Sequence, residues 1–165
     1  MRDRLQAWVL LLALFALSAL TGCETTESAE FEGIQSARIA MAESIRNEAP
    51  GDYFIGRRYY KQDYKFWGYL RRPGASWSTA KLVMLNEQQK LAPDREMGKI
   101  GSDNNYEYTI QGHYSGETVY EPASNGFYPE FILTGYELRT VSPATIFRDP
   151  EAASNPARRV ILQPY

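Results

Sequence analysis

The residues able to do chemistry in this chain are few. His113 is the single histidine, and a hydrolytic triad needs a nucleophile, a base and an orienting acid held together. Ser115 stands two residues away, but neighbours at that spacing on a strand share a face without forming a triad, and no G-x-S-x-G elbow is present. A metal site needs several His, Cys or carboxylate ligands at fixed spacing. One histidine and one cysteine do not supply a zinc set. Asp103-Asn104-Asn105 with Glu107 lacks the glycine and terminal glutamate of a calcium loop and reads as a turn. No Gly-rich phosphate loop follows a strand, and acids such as Glu130 and Glu137 do not mark a pair for glycoside cleavage. The expectation is a protein that is not an enzyme, with no catalytic residue, cofactor or metal.

Binding chemistry is better represented. Between Arg57 and Arg72 the sequence interleaves Arg57, Arg58, Lys61, Lys65, Arg71 and Arg72 with Tyr59, Tyr60, Tyr64, Phe66, Trp67 and Tyr69. Aromatic platforms beside cations suit an anionic polymer. The candidate binding residues are Tyr59, Lys61, Lys65, Trp67 and Arg71. The competing reading sends the aromatics into a barrel while Lys and Arg snorkel outward. It also lets the acids of residues 24–52, seven against two arginines, neutralise the basic stretch.

These residues need elements to position them. Phe31, Ile34, Ala37, Met41 and Ile45 recur at helical steps and predict an amphipathic helix over 31–48, packed on a sheet and ended by Pro50-Gly51. Residues 53–72 read as one long strand with a bulge near Gln62-Asp63. Residues 80–86 read as a short buried strand. Residues 87–104 read as a loop with a turn of helix. Tyr106, Tyr108, Ile110 and Gly112 alternate with polar residues, which predicts a half-buried strand. Ser115-Gly116 is expected to turn the chain, with Glu117–Tyr120 pairing back. Asn125-Gly126 marks the next turn and 128–140 a further strand. Residues 141–165 read as an irregular tail whose Val160-Ile161-Leu162 adds an edge strand. The resulting fold is mainly β: an OB-like barrel of about five strands over 53–140, preceded by one helix, with an SH3-like barrel the alternative that strand periodicity alone does not separate.

The N-terminus carries an address. Arg2 and Arg4 precede an apolar run from Ala7 to Leu17, and small residues lead to Cys23. This is the layout of a secretory signal peptide, too short in its apolar part to be a spanning helix. Leu20-Thr21-Gly22-Cys23 resembles the lipobox of bacterial lipoproteins. That resemblance implies removal of residues 1–22 and a lipid on the sulfur of Cys23, which becomes the mature N-terminus. It leaves 143 residues, one domain's worth, tethered by 23–30. With Arg2, Asp3 and Arg4 gone, the formal charge of −2 becomes −3. So small an imbalance argues against a nucleic-acid partner. Once Cys23 is lipidated no thiol remains, so stability rests on packing. Glu24 in place of Asp points to the outer membrane, with the domain facing the periplasm. Pro50-Gly51-Asp52-Tyr53-Phe54-Ile55-Gly56, together with the lipobox, is similar to the Slp-type outer-membrane lipoproteins. Partners expected on this reading are the membrane, through Cys23, and an envelope protein, lipid or glycan.

Overall fold

The computed structural model describes residues 24–165 except Phe66, with side chains from residue 31 onward. The signal sequence and Cys23 lie outside the described residues. The chain divides within its first helix: one unit reaches to Met41, and the other runs from Ala42 to Tyr165. Helix α1 spans Glu24–Arg46. It therefore begins seven residues before the expected start and takes in the polar segment read as a tether. None of residues 31–46 is buried, and Phe31 is 62% and Ile34 43% exposed. No described helix is long and apolar enough to cross a membrane.

Five strands close a barrel: β1 (Phe54–Arg57), β2 (Gly68–Arg71), β3 (Lys81–Asn86), β4 (Glu107–Glu121) and β5 (Gly126–Thr140). Around the barrel the order is β1-β2-β3-β5-β4, with β4 returning to β1. All neighbours are antiparallel except β3 and β5. This Greek-key closure is that of the OB type. The expected long strand over 53–72 is instead two strands that fold back on each other, with Ile55 opposite Arg71 and Arg57 opposite Tyr69. Both are buried on both faces. A strand covered on both sides has no apolar–polar alternation to mark its ends, and the aromatic loop between them carries the same strand propensity.

Phe54, Leu70, Val83, Tyr108, Ile110, Phe131 and Leu133 point inward and form the core with Trp67 and Ala92. Phe54, Tyr114 and Phe131 make three mutual edge-to-face contacts at 5.0 to 5.7 Å. Each contributes about 1 kcal/mol beyond its buried area. Ser115-Gly116 is not a turn: β4 runs on to Glu121. Tyr114 pairs with Phe131 and Thr118 with Pro129, so residues 115–117 bulge opposite Glu130 alone. Gly116 (φ +91°) supplies the left-handed backbone for the bulge. Gly112 (φ +149°) sits at a second register shift, where a β-carbon would strike the Ile132 carbonyl.

The tail is more ordered than expected. A short helix α3 (Pro150–Ser154) is capped by Asp149, whose side chain accepts from the Ala152 amide at 2.8 Å. Ile146, Phe147, Ala152 and Ala153 are buried. Val160-Ile161-Leu162 forms no strand. It lies on the barrel through side chains and one hydrogen bond, from the Tyr69 hydroxyl to the Leu162 carbonyl.

Candidate functional site

Strands β1 and β2 place Leu70 and Gly56 inward, so Ile55, Arg57, Tyr69 and Arg71 occupy the outer face. That face is closed. Phe147 meets Tyr59 edge-on at 4.6 Å and Tyr69 at 5.5 Å. Val160, Ile161 and Leu162 lie against Tyr69 and Leu82, leaving a void of only about 10 Å³. Arg57 and Arg71 both stack on Trp77, at 4.9 and 4.6 Å. Arg57 also donates to Glu107 and to the Ala144 carbonyl. Arg71 grips Glu48 with both terminal nitrogens, at 2.6 and 2.7 Å. Glu48 further accepts from Arg139 and from the Gly74 amide. Burial raises the Glu48 pKa, but these bonds and the two arginine charges outweigh it and hold the carboxyl below its usual value.

The five sequence-predicted residues are therefore not one surface. Tyr59, Lys61, Trp67 and Arg71 are all buried. The Lys61 ammonium donates to the carbonyls of Ala152 and Asn155 at 2.6 and 2.8 Å, pinning the tail instead of reaching solvent. Tyr59 packs under Phe147, and Trp67 contacts Tyr108 edge-on inside the barrel. Lys65 alone is exposed. Outward snorkelling holds only for the exposed Lys65 and Arg72, because Arg57, Arg58, Lys61 and Arg71 are each at most 6% exposed. Partnering by the acidic N-terminal segment does occur: Glu48 holds Arg71 and Asp52 meets Arg72 at 2.9 Å.

The open feature is a cleft of about 220 Å³ where the β1–β2 loop faces the β3–β4 loop. The first loop contributes Arg58, Tyr60, Gln62, Tyr64, Lys65 and Trp67. From the other side come Leu85, Glu87, Ala92, Asp94, Arg95 and Ile100. Helix α2 (Pro93–Glu96) starts with proline, whose fixed φ suits that position. Asp94 then organises the turn after it, accepting from the Gly101 amide at 2.8 Å. Arg58 ties the two loops together by ion pairs to Asp94 and Asp103. The backbone reinforces that tie: the Asn105 amide donates to the Arg58 carbonyl at 2.7 Å, and Asn104 Oδ1 accepts from the Tyr60 amide at 2.9 Å. Two buried carboxylates share one guanidinium. Burial therefore prevails over Arg58 at Asp103 and pushes its carboxyl up.

Glu121, fully buried at the end of β4, fixes the far side of the loop. Burial raises its pKa, yet hydrogen bonds from Ser124 and from the amides of Ala123 and Lys65 bring it below the usual value. Through its amide, Lys65 is thereby anchored to the β4–β5 turn. Among the described residues, Trp67 Nε1, Arg58 Nε and Asp94 Oδ1 around the cleft have no hydrogen-bond partner. Sequence reasoning missed Asp94 and Glu121, and it placed Tyr60 only within the basic-aromatic stretch and not among the candidate binding residues. Nothing local marks the two acids, since isolated acids occur throughout the chain.

His113 lies exposed on β4 opposite Ile132. Asp103 is the buried partner of Arg58, and Asn105 has the positive φ of a turn residue. Among the described residues no three His, Cys, Asp or Glu side chains assemble as metal ligands. Comparison with protein families, curated proteins and solved structures finds no match to the chain.

Proposed function

We propose that this chain is a lipid-anchored protein of the bacterial cell envelope, whose barrel has a non-enzymatic role in binding or scaffolding. The observation that carries the proposal is Leu20-Thr21-Gly22-Cys23, placed after a basic start and an apolar run. Lipid on Cys23 fixes the protein to a membrane, and Glu24 favours the outer one, with the domain in the periplasm. The scaffold role is supported by how charge is used. The basic residues of β1 and β2 are committed to Glu48, Glu107 and the Ala144 carbonyl, and Lys61 in the loop between them to two tail carbonyls, which makes them framework.

Replacing Cys23 by Ser tests the anchor. The variant is expected to appear soluble in the periplasm or to stall uncleaved, and wild type to take up labelled palmitate. Mature-length Cys23→Ser protein that still fractionates with membrane overturns the lipid anchor.

A second reading, binding of anionic envelope material by the basic-aromatic stretch, is favoured by one observation only. Lys65 and Trp67 line the open cleft. Tyr59, Lys61 and Arg71 do not line it, so a binding role for this stretch reduces to its loop.

A further inference from the structure

We propose that the far end of the β4–β5 hairpin, residues 118–129, inserts into the interfacial region of a phospholipid bilayer. The inference rests on the lipid-anchor reading for bringing a bilayer within reach; the insertion chemistry comes from the hairpin itself.

The end of the hairpin has two unlike faces. Val119, Glu121 and Tyr128 alternate onto one, and all three are half-buried or buried. Thr118, Tyr120 and Phe127 alternate onto the other. There the Tyr120 and Phe127 rings meet at 5.2 Å and are 47% and 71% exposed. Among the described residues no large apolar side chain is more exposed than Phe127. Contiguous apolar surface of this kind marks a contact site.

Charge and backbone together say what covers it. Other exposed apolar residues stand among charges: Met97 follows Glu96, and Leu138 lies between Glu137 and Arg139. From Thr118 to Pro129 the one charged residue is Glu121, and it is fully buried. Glu117 and Glu130 come only at the bulge, on the barrel side of this segment. The Glu121 carboxylate accepts from the Ala123 and Ser124 amides at 3.1 and 2.6 Å. The Asn125 amide donates to the Pro122 carbonyl at 3.3 Å, and proline has no amide to satisfy. No amide of this turn therefore loses a partner on leaving water. Lipid imposes that condition, whereas a protein surface supplies partners of its own. Aromatic rings, one of them with a hydroxyl, are the side chains favoured at a bilayer interface. At the base of the hairpin the Lys65 amide bonds the Glu121 carboxyl. The Lys65 side chain is exposed and pairs with no carboxylate among the described residues. A cation at the base of an uncharged aromatic end suits an anionic headgroup.

The test uses the full protein purified from membranes and reconstituted in vesicles of phosphatidylethanolamine and phosphatidylglycerol. Ala123→Cys on the exposed turn carries a nitroxide, whose collisions with oxygen and with a water-soluble nickel chelate report its depth. Glu137→Cys, exposed on the barrel wall, is the control. Expected is an Ala123→Cys label shielded from nickel and open to oxygen, with the control label open to nickel. Adding Phe127→Ser should lower the ratio of inserted to water-exposed signal about tenfold. Adding Lys65→Gln, or omitting phosphatidylglycerol, should lower it about fivefold. Denaturation midpoints establish that the variants are folded. A nickel-accessible turn on vesicle-bound protein overturns the insertion, as does a signal unmoved by Phe127→Ser. Shielding from both reagents that grows with protein density shows contact with a second copy and overturns it as well. The anchor is read separately. Wild-type protein that takes up the nitroxide has a free Cys23, which overturns the lipid reading, whereas a water-exposed turn on unlabelled-Cys23 protein overturns the insertion alone.

Discussion

The outer face of β1 and β2 and the cleft beside it draw on one stretch of sequence, residues 57–72, yet they treat charge in opposite ways. On the face, Arg57, Lys61 and Arg71 are buried, and each is matched by a carboxylate or by backbone carbonyls. In the cleft, Arg58 is buried and paired to Asp94 and Asp103 in the same manner, but Lys65 is exposed and stays without an ion-pair partner among the described residues. What separates them is cover. Wherever the tail or the Glu48 segment lies over the barrel, a cation must find a partner, because an unpaired buried charge is costly. Where nothing lies over it, the charge stays free for other uses. Cation-rich sequence is therefore framework or binding surface according to what packs above it.

The strongest way to break this contrast is to strip the cover. Phe147 is 2% exposed and bridges Tyr59 and Tyr69. Phe147→Ala should cost about 4 kcal/mol, the usual loss for a buried phenylalanine. The denaturant midpoint measures it. If the tail were an ornament, the loss would fall under about 1 kcal/mol. Because Lys61 is tied to α3, the same variant should also raise proteolysis of the chain after Thr140.

Next in size is Glu48. Glu48→Gln leaves Arg71 buried with one poor acceptor and should cost about 3 kcal/mol, as expected when a buried pair loses one partner. The sign of its pH dependence follows from the lowered carboxyl pKa. The stabilisation is complete above the unfolded value, 4.5, and is lost as pH falls through the lower folded value. Wild type should therefore converge on the variant's stability under acid. Urea midpoints taken from pH 7 down to pH 3 check this, and a gap that stays constant would show that Glu48 acts without its charge.

Parts of this contrast were legible before any coordinates, and the reasons are local. Residues 107–112 and 128–140 lie on half-buried strands, whose alternation is written in the residue types. The turn at Asn125-Gly126 is set by backbone chemistry alone, and Asn125 does take a positive φ of 50°. By contrast, β1 and β2 are only four residues each and buried throughout, so the sequence between Tyr53 and Arg72 carries no mark of where pairing stops. Gly116 is equally suited to a turn and to a bulge, and only the pairing of Thr118 with Pro129 decides. The tail hides its role because two residues, Ile146 and Phe147, supply most of its buried apolar bulk. The cleft was least legible of all. Its walls come from loops some thirty residues apart in sequence, joined through Arg58, Asp94 and Asn104, and no spacing rule links such residues.

The finest test of the contrast compares two lysines four residues apart. Lys61 holds two tail carbonyls, so Lys61→Gln should leave them poorly paired at a cost of about 2 kcal/mol. Lys65→Gln removes a charge that faces solvent and should change stability by less than about 0.5 kcal/mol. Measuring both by chemical denaturation in the same buffer asks whether cover, and not residue type, decides what a lysine does here. The contrast should survive added salt, since Lys61 bonds to neutral carbonyls and owes little to screened charge. If the two variants lose equal stability, or if salt erases the difference, then the basic stretch acts as one electrostatic unit. The division between covered face and open cleft would then fail at its base.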